Sequence, residues 1–475
     1  ALLARGDSLL VANGKGRGSA SNQADGPGPG PGRPPRAPGS TLSQLRGTLS
    51  FLSLHGLDSA VLAAFSARVR RANGWDRSLG QPAYPPFEHV VYIIKENRTY
   101  DQVLGDLRQA DGDSSLTFFP RAVTPNHHAL AERFGIFDRF FVNAEVSADG
   151  HNWSTAAYAT DYVTKTLPQN YSGRGRSYDY EGTNRGVLPP PGEDAAEPAQ
   201  GYLWDLARRR NITFRNFGEF VTGVKNEGPI PAGYVGLKPF LEAHTDSTYP
   251  GFDLDIPDQH RADLWLLALG RWQQEGRMPA LQILKLPNDH TAAAREGALT
   301  PRAYMADNDL ALGRIVEGLS RSAFWKNTVV LVVEDDAQNG PDHVDSHRAP
   351  FLVISAWNQS RVWHRFTNTT DVIATIEELL TLDHLSQFDA FGRPLRGIFA
   401  ASPDLTPYTA ALPEWPLTEL NARNAPGARE SRQLDLRFED LGDDELFNRA
   451  LWLALKGTAR PYPGASVMTP ALLKP

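Results

Sequence analysis

"HVVYIIKENRTYD", residues 89–101, is the stretch whose reading decides the fold. A run of β-branched and aromatic residues breaks off at Lys95 into a cluster of chemically active side chains, the pattern of a buried strand whose carboxyl end meets a ligand. Three more runs share the texture: "ALQILKL" (280–286), "TVVLVVE" (328–334) and "FLVIS" (351–355). Helical spacing occupies 258–275, 301–320 and 369–381, with Pro301 in a first turn after Thr300 and Thr370 as the cap of the third helix. Short apolar runs alternating with helices predict a largely parallel sheet covered by helices, an α/β sandwich.

Outward from this core, residues 160–250 are rich in Gly, Pro, Tyr and Arg, with "LPPPGEDAAEPAQG" (188–201) as a loop and "YSGRGRSYDYEGTNR" (171–185) as a candidate anionic-substrate rim; they read as an inserted cap over one sheet edge. Toward the N-terminus, "SLLVAN" (8–13) and "GTLSFLSL" (47–54) predict two short strands separated by the Pro/Gly loop "DGPGPGPGRPPRAPGS" (25–40). Two strands cannot bury a face by themselves, so they are expected to add to a sheet elsewhere. A helix at 57–73 and the Pro-rich "GWDRSLGQPAYPP" (74–86) put a boundary near 80, dividing the chain into 1–80 and 81–475. A C-terminal helix at 443–457 carries Leu, Phe and Trp at helical spacing and reads as packing.

Composition narrows the classes of function. The chain has 475 residues, with 48 Lys and Arg against 55 Asp and Glu and a net charge of −7, so no global basic field exists to serve as a nucleic-acid scaffold or to hold an anionic membrane. No apolar run approaches the roughly 20 residues that span a bilayer. The absence of cysteine excludes disulfides, thiolate metal sites and a Cys nucleophile, leaves only O and N ligands for any metal, and fits a periplasmic or secreted protein. The opening "ALLARGDSLLVANGKG" has no Met and no leader-like pattern, as expected if a leader was removed or the sequence is a piece. Nothing in the sequence reports the oligomeric state.

The chemistry gathers where three apolar runs end: Glu96, Asn97 and Asp101 after the first; Asn288, Asp289 and His290 after the second; Glu334, Asp335, Asp336, Asp342, His343, Asp345 and His347 after the third. Adjacent carboxylates stay ionised together only where a cation or hydrogen-bond donors compensate them, and a divalent metal is the simplest compensator. Zinc is the first choice, with calcium or manganese as alternatives, one or two ions per site. Between the clusters lies "VSADGHN", with Ser147, Asp149 and His151. A hydroxyl beside a metal is a candidate nucleophile, and the same residues also read as a turn capping a helix that begins near Asn152. The two readings are compatible, because a helix N-terminus favours phosphate.

The segments "HVVYIIKENRTYDQVLGD", "NHHALAERFGIFDRFFVNAEVSADGHNWSTA", "LPNDHT" and "EDDAQNGPDHVDSHRAPFLVIS" resemble the phosphoesterase family of bacterial phospholipases C and acid phosphatases, within the alkaline phosphatase superfamily. The resemblance covers about 88–400, and the N-terminal strands look like the end of a lactonase-like β-propeller. It implies an alkaline-phosphatase-like three-layer α/β/α sandwich and a metal-dependent hydrolase of phosphoric esters acting through a phospho-enzyme. Ser147 takes the place of the nucleophile, and Glu96, Asn97, Asp335 and Asp336 match the metal ligands. His290, His343 and His151 match or neighbour acid/base and phosphate-contacting positions; Asp289 and His347 are further ligands in a two-metal version. Arg98 and His128 are candidate substrate contacts, although Arg98 also reads as a brace for Asp101 and the His127–His128 pair as structural. "SADGHN" departs from the Thr-Asp-Pro-Asn run of many phospholipases, so phospholipid specificity does not transfer. A phosphodiesterase or phospholipase C-type activity, and a non-catalytic binding module of the same fold, are the alternatives. A sulfatase would need a Cys/Ser-X-Pro-X-Arg context that Ser147 lacks.

Overall fold

A computed structural model describes residues 1–13, 47–73, 84–170, 194–225, 231–436 and 443–464. The 25–40 loop, the 171–185 segment, most of the Pro-rich boundary and the first part of the 188–201 loop lie outside the described residues.

Three strands at the N-terminus, β1 (Leu2–Arg5), β2 (Ser8–Asn13) and β3 (Thr48–Ser53), form an antiparallel sheet in the order β1-β2-β3, followed by helix α1 (Ser59–Asn73). The two strands expected at 8–13 and 47–54 are both present. They pair with each other and with Leu2–Arg5, which a four-residue run hid from a reading based on alternation. Leu3, Leu49 and Phe51 stay exposed.

The principal sheet is built from β4 (His89–Lys95), β5 (Phe214–Phe217), β6 (Leu281–Leu286), β7 (Thr328–Glu334) and β8 (Leu352–Ile354), in the order β8-β7-β4-β6-β5. All pairs are parallel except β7 with β8. Strand β5 comes from within 160–250, so that segment supplies an edge of the sheet itself. Alternation assigns the two faces. Val91, Ile93, Leu284, Leu286, Val330 and Val332 enter one core, whereas Val90, Tyr92, Ile94, Ile283, Leu331 and Val333 enter the other. Each such side chain, buried fully, contributes roughly 1.5–3 kcal/mol of hydrophobic free energy.

The first core is covered by α2 (Pro125–Phe134), α5 (Asp258–Glu275), α6 (Pro301–Ser320) and α8 (Asp444–Lys456), the second by α3 (Ser147–Ala156), α4 (Leu203–Arg209) and α7 (Thr369–Leu380). This is a three-layer α/β/α sandwich. Helix α6 starts as its sequence predicts, with Pro301 in the first turn and the Thr300 hydroxyl accepting from the Ala303 amide. Helix α7 is capped by Asn368, whose side chain accepts from the Asp371 amide, and Thr370 lies inside the first turn. The cap moves because an Asn oxygen one residue before the helix reaches the third amide directly. Helix α3 begins at Ser147 rather than near Asn152, since Asp149 reaches back to accept from the Val146 and Glu145 amides. No helix among the described residues is long and apolar enough to cross a membrane.

Candidate active site

The carboxyl ends of β4, β6 and β7 are level, with Leu286 and Glu334 both opposite Lys95. The residues that follow each strand therefore emerge side by side at the topological switch of the sheet, where open α/β folds place ligands. The chain leaves β4 through Asn97 at φ +67°, a left-handed conformation that Asn adopts more readily than most residues with a Cβ.

Glu96, Asn97, Asp335, Asp336 and Ser147 are all buried. One terminal atom of the Asn97 amide lies 2.9 Å from Asp335 Oδ1, 3.2 Å from Glu96 Oε2 and 3.4 Å from Ser147 Oγ. Placed as nitrogen, that atom donates to both carboxylates. Placed as oxygen, it completes a set of oxygens that converge as ligands do around a cation. Ser147 Oγ donates to Asp336 Oδ2 at 2.9 Å, and Asp336 Oδ1 accepts from the Gln338 amide. Helix α3 reaches the end of β7 because residue 150 is glycine; a Cβ there would lie 2.8 Å from Asp335 Oδ2 and 3.0 Å from its backbone.

His151 sits one helical turn after Ser147, on the same face of α3. Its Nδ1 is 2.8 Å from Glu219 Oε1, which directs Nε2 toward Glu96 Oε1 at 3.2 Å and Asp335 Oδ2 at 3.5 Å. Burial disfavours the imidazolium, but Glu219, Asp335 and Glu96 outweigh it and lift the pKa well above its ordinary value. Lys285 Nζ lies 3.3 Å from Glu96 Oε1. Burial pushes the Glu96 carboxyl up, yet Lys285 and His151 prevail and hold it down to about 2.

A second layer lies beneath. Lys95 Nζ is 2.9 Å from Asp289 Oδ2, 3.3 Å from Glu334 Oε1 and 2.9 Å from His127 Nε2; His127 Nδ1 meets Asp309 at 2.6 Å. Burial, then the neighbouring Asp289, pushes the Glu334 carboxyl well above the carboxylate range. Asp289 is thus matched by an ammonium and accepts the Glu96 amide at 3.1 Å. Arg98, fully buried, donates to the His290 carbonyl at 2.9 Å and fixes the 3₁₀ turn Asn288–His290, bracing that turn rather than Asp101. The His290 ring donates from Nδ1 to the Thr291 carbonyl at 2.8 Å and bears electrostatically on Glu96.

Three sequence candidates belong to other networks. His343 bonds Asp101 at 2.6 Å and Asp111 at 3.1 Å, beside the ion pairs of Arg348 with Asp101 and Asp342. His128 has both ring nitrogens engaged, by the Thr124 carbonyl and by Asp106, each at 2.7 Å; of the pair, His127 faces the strand ends. His347 bonds Asp345 at 2.8 Å and lies 3.4 Å from Glu145, two residues before the helix that carries Ser147. Conversely, Lys95, Lys285 and Glu219 escaped the sequence reading. A lysine at the carboxyl end of an otherwise apolar strand is a usable signal for the first two; nothing around Glu219 marks it.

The donors present fit a divalent cation. Glu96, His151 and Asp335 each offer an atom within 4.8 Å of the others, and Asn97 and Asp336 adjoin them. Around these groups the buried carboxylates, with Asp289 and Glu219, outnumber the permanent cations Lys95, Arg98 and Lys285.

Among solved structures, the chain is similar to an alkaline phosphatase superfamily protein from Vibrio parahaemolyticus, at 17% identity and a TM-score of 0.42, covering 66% of this chain and 71% of that one. A phosphonate monoester hydrolase of Agrobacterium radiobacter has 15% identity and a TM-score of 0.39, covering 66% and 78%. The human ectonucleotide pyrophosphatase/phosphodiesterase 5 has 10% identity and a TM-score of 0.34, covering 62% and 96%. No curated protein sequence matches. The sequence profile of the Phosphoesterase family matches residues 107–383, more than half of the chain. With the strand-end acids and Ser147 gathered at one edge of the sheet, the chain belongs to the phosphoesterase family.

Proposed function

We propose that the protein hydrolyses phosphoric esters in two steps, with Ser147 as nucleophile and one divalent cation, zinc in the first instance, held by Glu96, Asn97, Asp335 and Asp336. The observation that carries this reading is the short contact of Ser147 Oγ with Asp336 inside that ligand set. When bound, the cation lowers the pKa of a hydroxyl and neutralises charge on the transferring phosphoryl group.

The chain's own residues do the rest. Asp336 holds the Ser147 proton and orients Oγ for attack. Oγ forms a bond to phosphorus as the bond to the leaving oxygen breaks, and that oxygen leaves with the proton given up by Ser147; water then cleaves the Oγ–P bond, returning a proton to Oγ and releasing phosphate. The position of Ser147 at the first turn of α3 sets the positive end of the helix dipole beneath the phosphoryl group. Glu219 keeps the His151 ring in a single orientation. Lys95 neutralises Asp289, so a second ion on that carboxylate is redundant and one cation fits better than two.

Initial rates on p-nitrophenyl phosphate and bis-p-nitrophenyl phosphate, after reconstitution with zinc, manganese or calcium, test the reading. Metal-dependent turnover that falls by about 10³-fold or more in Ser147→Ala is expected. The ratio of the two rates separates a monoesterase from a diesterase. Folded, metal-loaded protein that turns over neither substrate sinks it.

A further inference from the structure

A second group of metal-competent side chains lies at the far end of α7. Glu377 is on its last turns, and the chain then folds back through His384 to the short helix Gln387–Ala390, which carries Asp389. Glu377 and Asp389 are each 1% exposed, whereas His384 is half exposed. His384 Nδ1 is 2.8 Å from Glu377 Oε2 and 3.7 Å from Asp389 Oδ2, and one ligand atom from each of the three residues lies within 4.8 Å of the others.

An independent observation points to a ligand. Glu377 Oε1 is buried and meets no hydrogen-bond donor among the described residues. A buried orphan carboxylate oxygen is costly unless a proton or a cation supplies what is missing. Asp389 is held as an acceptor by the Leu385 and Ser386 amides, at 2.7 Å each, and by the Ser386 hydroxyl at 2.5 Å. Burial and Asp389 together push the Glu377 carboxyl up to about 10. The other acid–histidine group, Asp101, Asp342 and His343, differs in already holding a cation, the Arg348 guanidinium.

We propose that Glu377, His384 and Asp389 bind a divalent cation through one nitrogen and two carboxylate oxygens, a zinc-type site with a remaining position open to water on the exposed His384 side. Binding displaces the proton on His384 Nδ1 or between the carboxylates, and so tightens as pH rises. The site pins the 382–390 turn to α7. That turn in turn packs on the end of α3: the Ser386 hydroxyl lies 3.2 Å from the Ala157 carbonyl oxygen, and Phe388 packs edge-on against Trp153 at 5.4 Å between centroids. The cation is thus structural, at the opposite end of the helix that begins with Ser147, and its presence does not depend on the catalytic reading.

The test is zinc stoichiometry and affinity by equilibrium dialysis with elemental analysis, using the full chain and zinc alone. Asp335→Asn is the background that weakens the strand-end site. One equivalent is expected to persist in Asp335→Asn and to weaken by about 100-fold on adding His384→Ala, with loss of the zinc-dependent rise in Tm. His384 is half exposed, so its variant keeps the fold if Glu377→Gln does not. Equal zinc binding with and without His384→Ala, in folded protein, overturns the proposal and leaves a proton shared between Glu377 and Asp389.

Discussion

Ser147 Oγ meets Asp336 Oδ2 at 2.9 Å across 189 positions of sequence, joining the first turn of one helix to the loop that leaves strand β7. The contact requires α3 to lie against that loop, and Gly150 is what permits it. Gly150→Ala would press a methyl group into Asp335. Overpacking of this kind costs about 1–3 kcal/mol, and here it also displaces Ser147, the proposed nucleophile. The expected result is a lowered Tm together with a turnover loss larger than stability explains, measured by thermal melts and rates well below the melting range.

Glu219 reaches His151 from the loop after β5, and its role is to position that ring. Glu219→Gln preserves shape but removes the charge that orients the imidazole. His151 Nε2 lies against two of the proposed ligands, Glu96 and Asp335, and hydrogen-bonded partners around a metal site typically matter by about 10–100-fold in metal affinity or activity. A fall of that size, with a displaced pH–rate profile and an unchanged Tm, is expected; unchanged kinetics would remove Glu219 from the site.

Lys95 is a stability residue placed under the site. Its ammonium is shared by Asp289 and Glu334, all three buried. Lys95→Met leaves the buried Asp289 carboxylate without its counter-charge, a change that typically costs about 3–5 kcal/mol. Denaturant unfolding is expected to show that loss, most of it recovered in the triple variant Lys95→Met, Asp289→Asn, Glu334→Gln.

His347 yields a pH prediction. Burial disfavours its charged form, but the hydrogen bonds that the ring donates to Asp345 and Glu145 outweigh it and raise the pKa from 6.5 to about 10. The folded state therefore holds this proton more tightly than the unfolded one. The stabilisation is complete below about pH 6.5, declines as pH climbs, and is gone above about pH 10. Stability of His347→Gln relative to the parent is expected to improve between pH 7 and 10, as followed by urea unfolding; a constant difference across that range contradicts the assignment.

The apolar runs at 89–95, 281–286 and 328–334 and the helices at 258–275 and 301–320 were legible because burial on both faces and a 3.6-residue period are local properties of sequence. Glu96, Asn97, Asp335 and Asp336 stood out because polar and acidic residues follow buried strands, whereas Ser147 was singled out by the family resemblance; the structure brings all five together. Helix starts were less legible: both α3 and α7 begin where a side-chain oxygen happens to reach an amide, which depends on rotamer as much as on residue type. What tertiary structure alone decided was partnership. Lys95 and Lys285 became internal counter-charges because parallel pairing sets Lys95 opposite Leu286 and Glu334, and His343 fell to the Arg348 network because its loop turns toward Asp101. Glu219 reached His151 only when β5 joined the sheet edge. Residue types and strand ends are written along the chain, whereas which buried charge faces which is settled by register and helix approach, at distances no spacing in the sequence encodes.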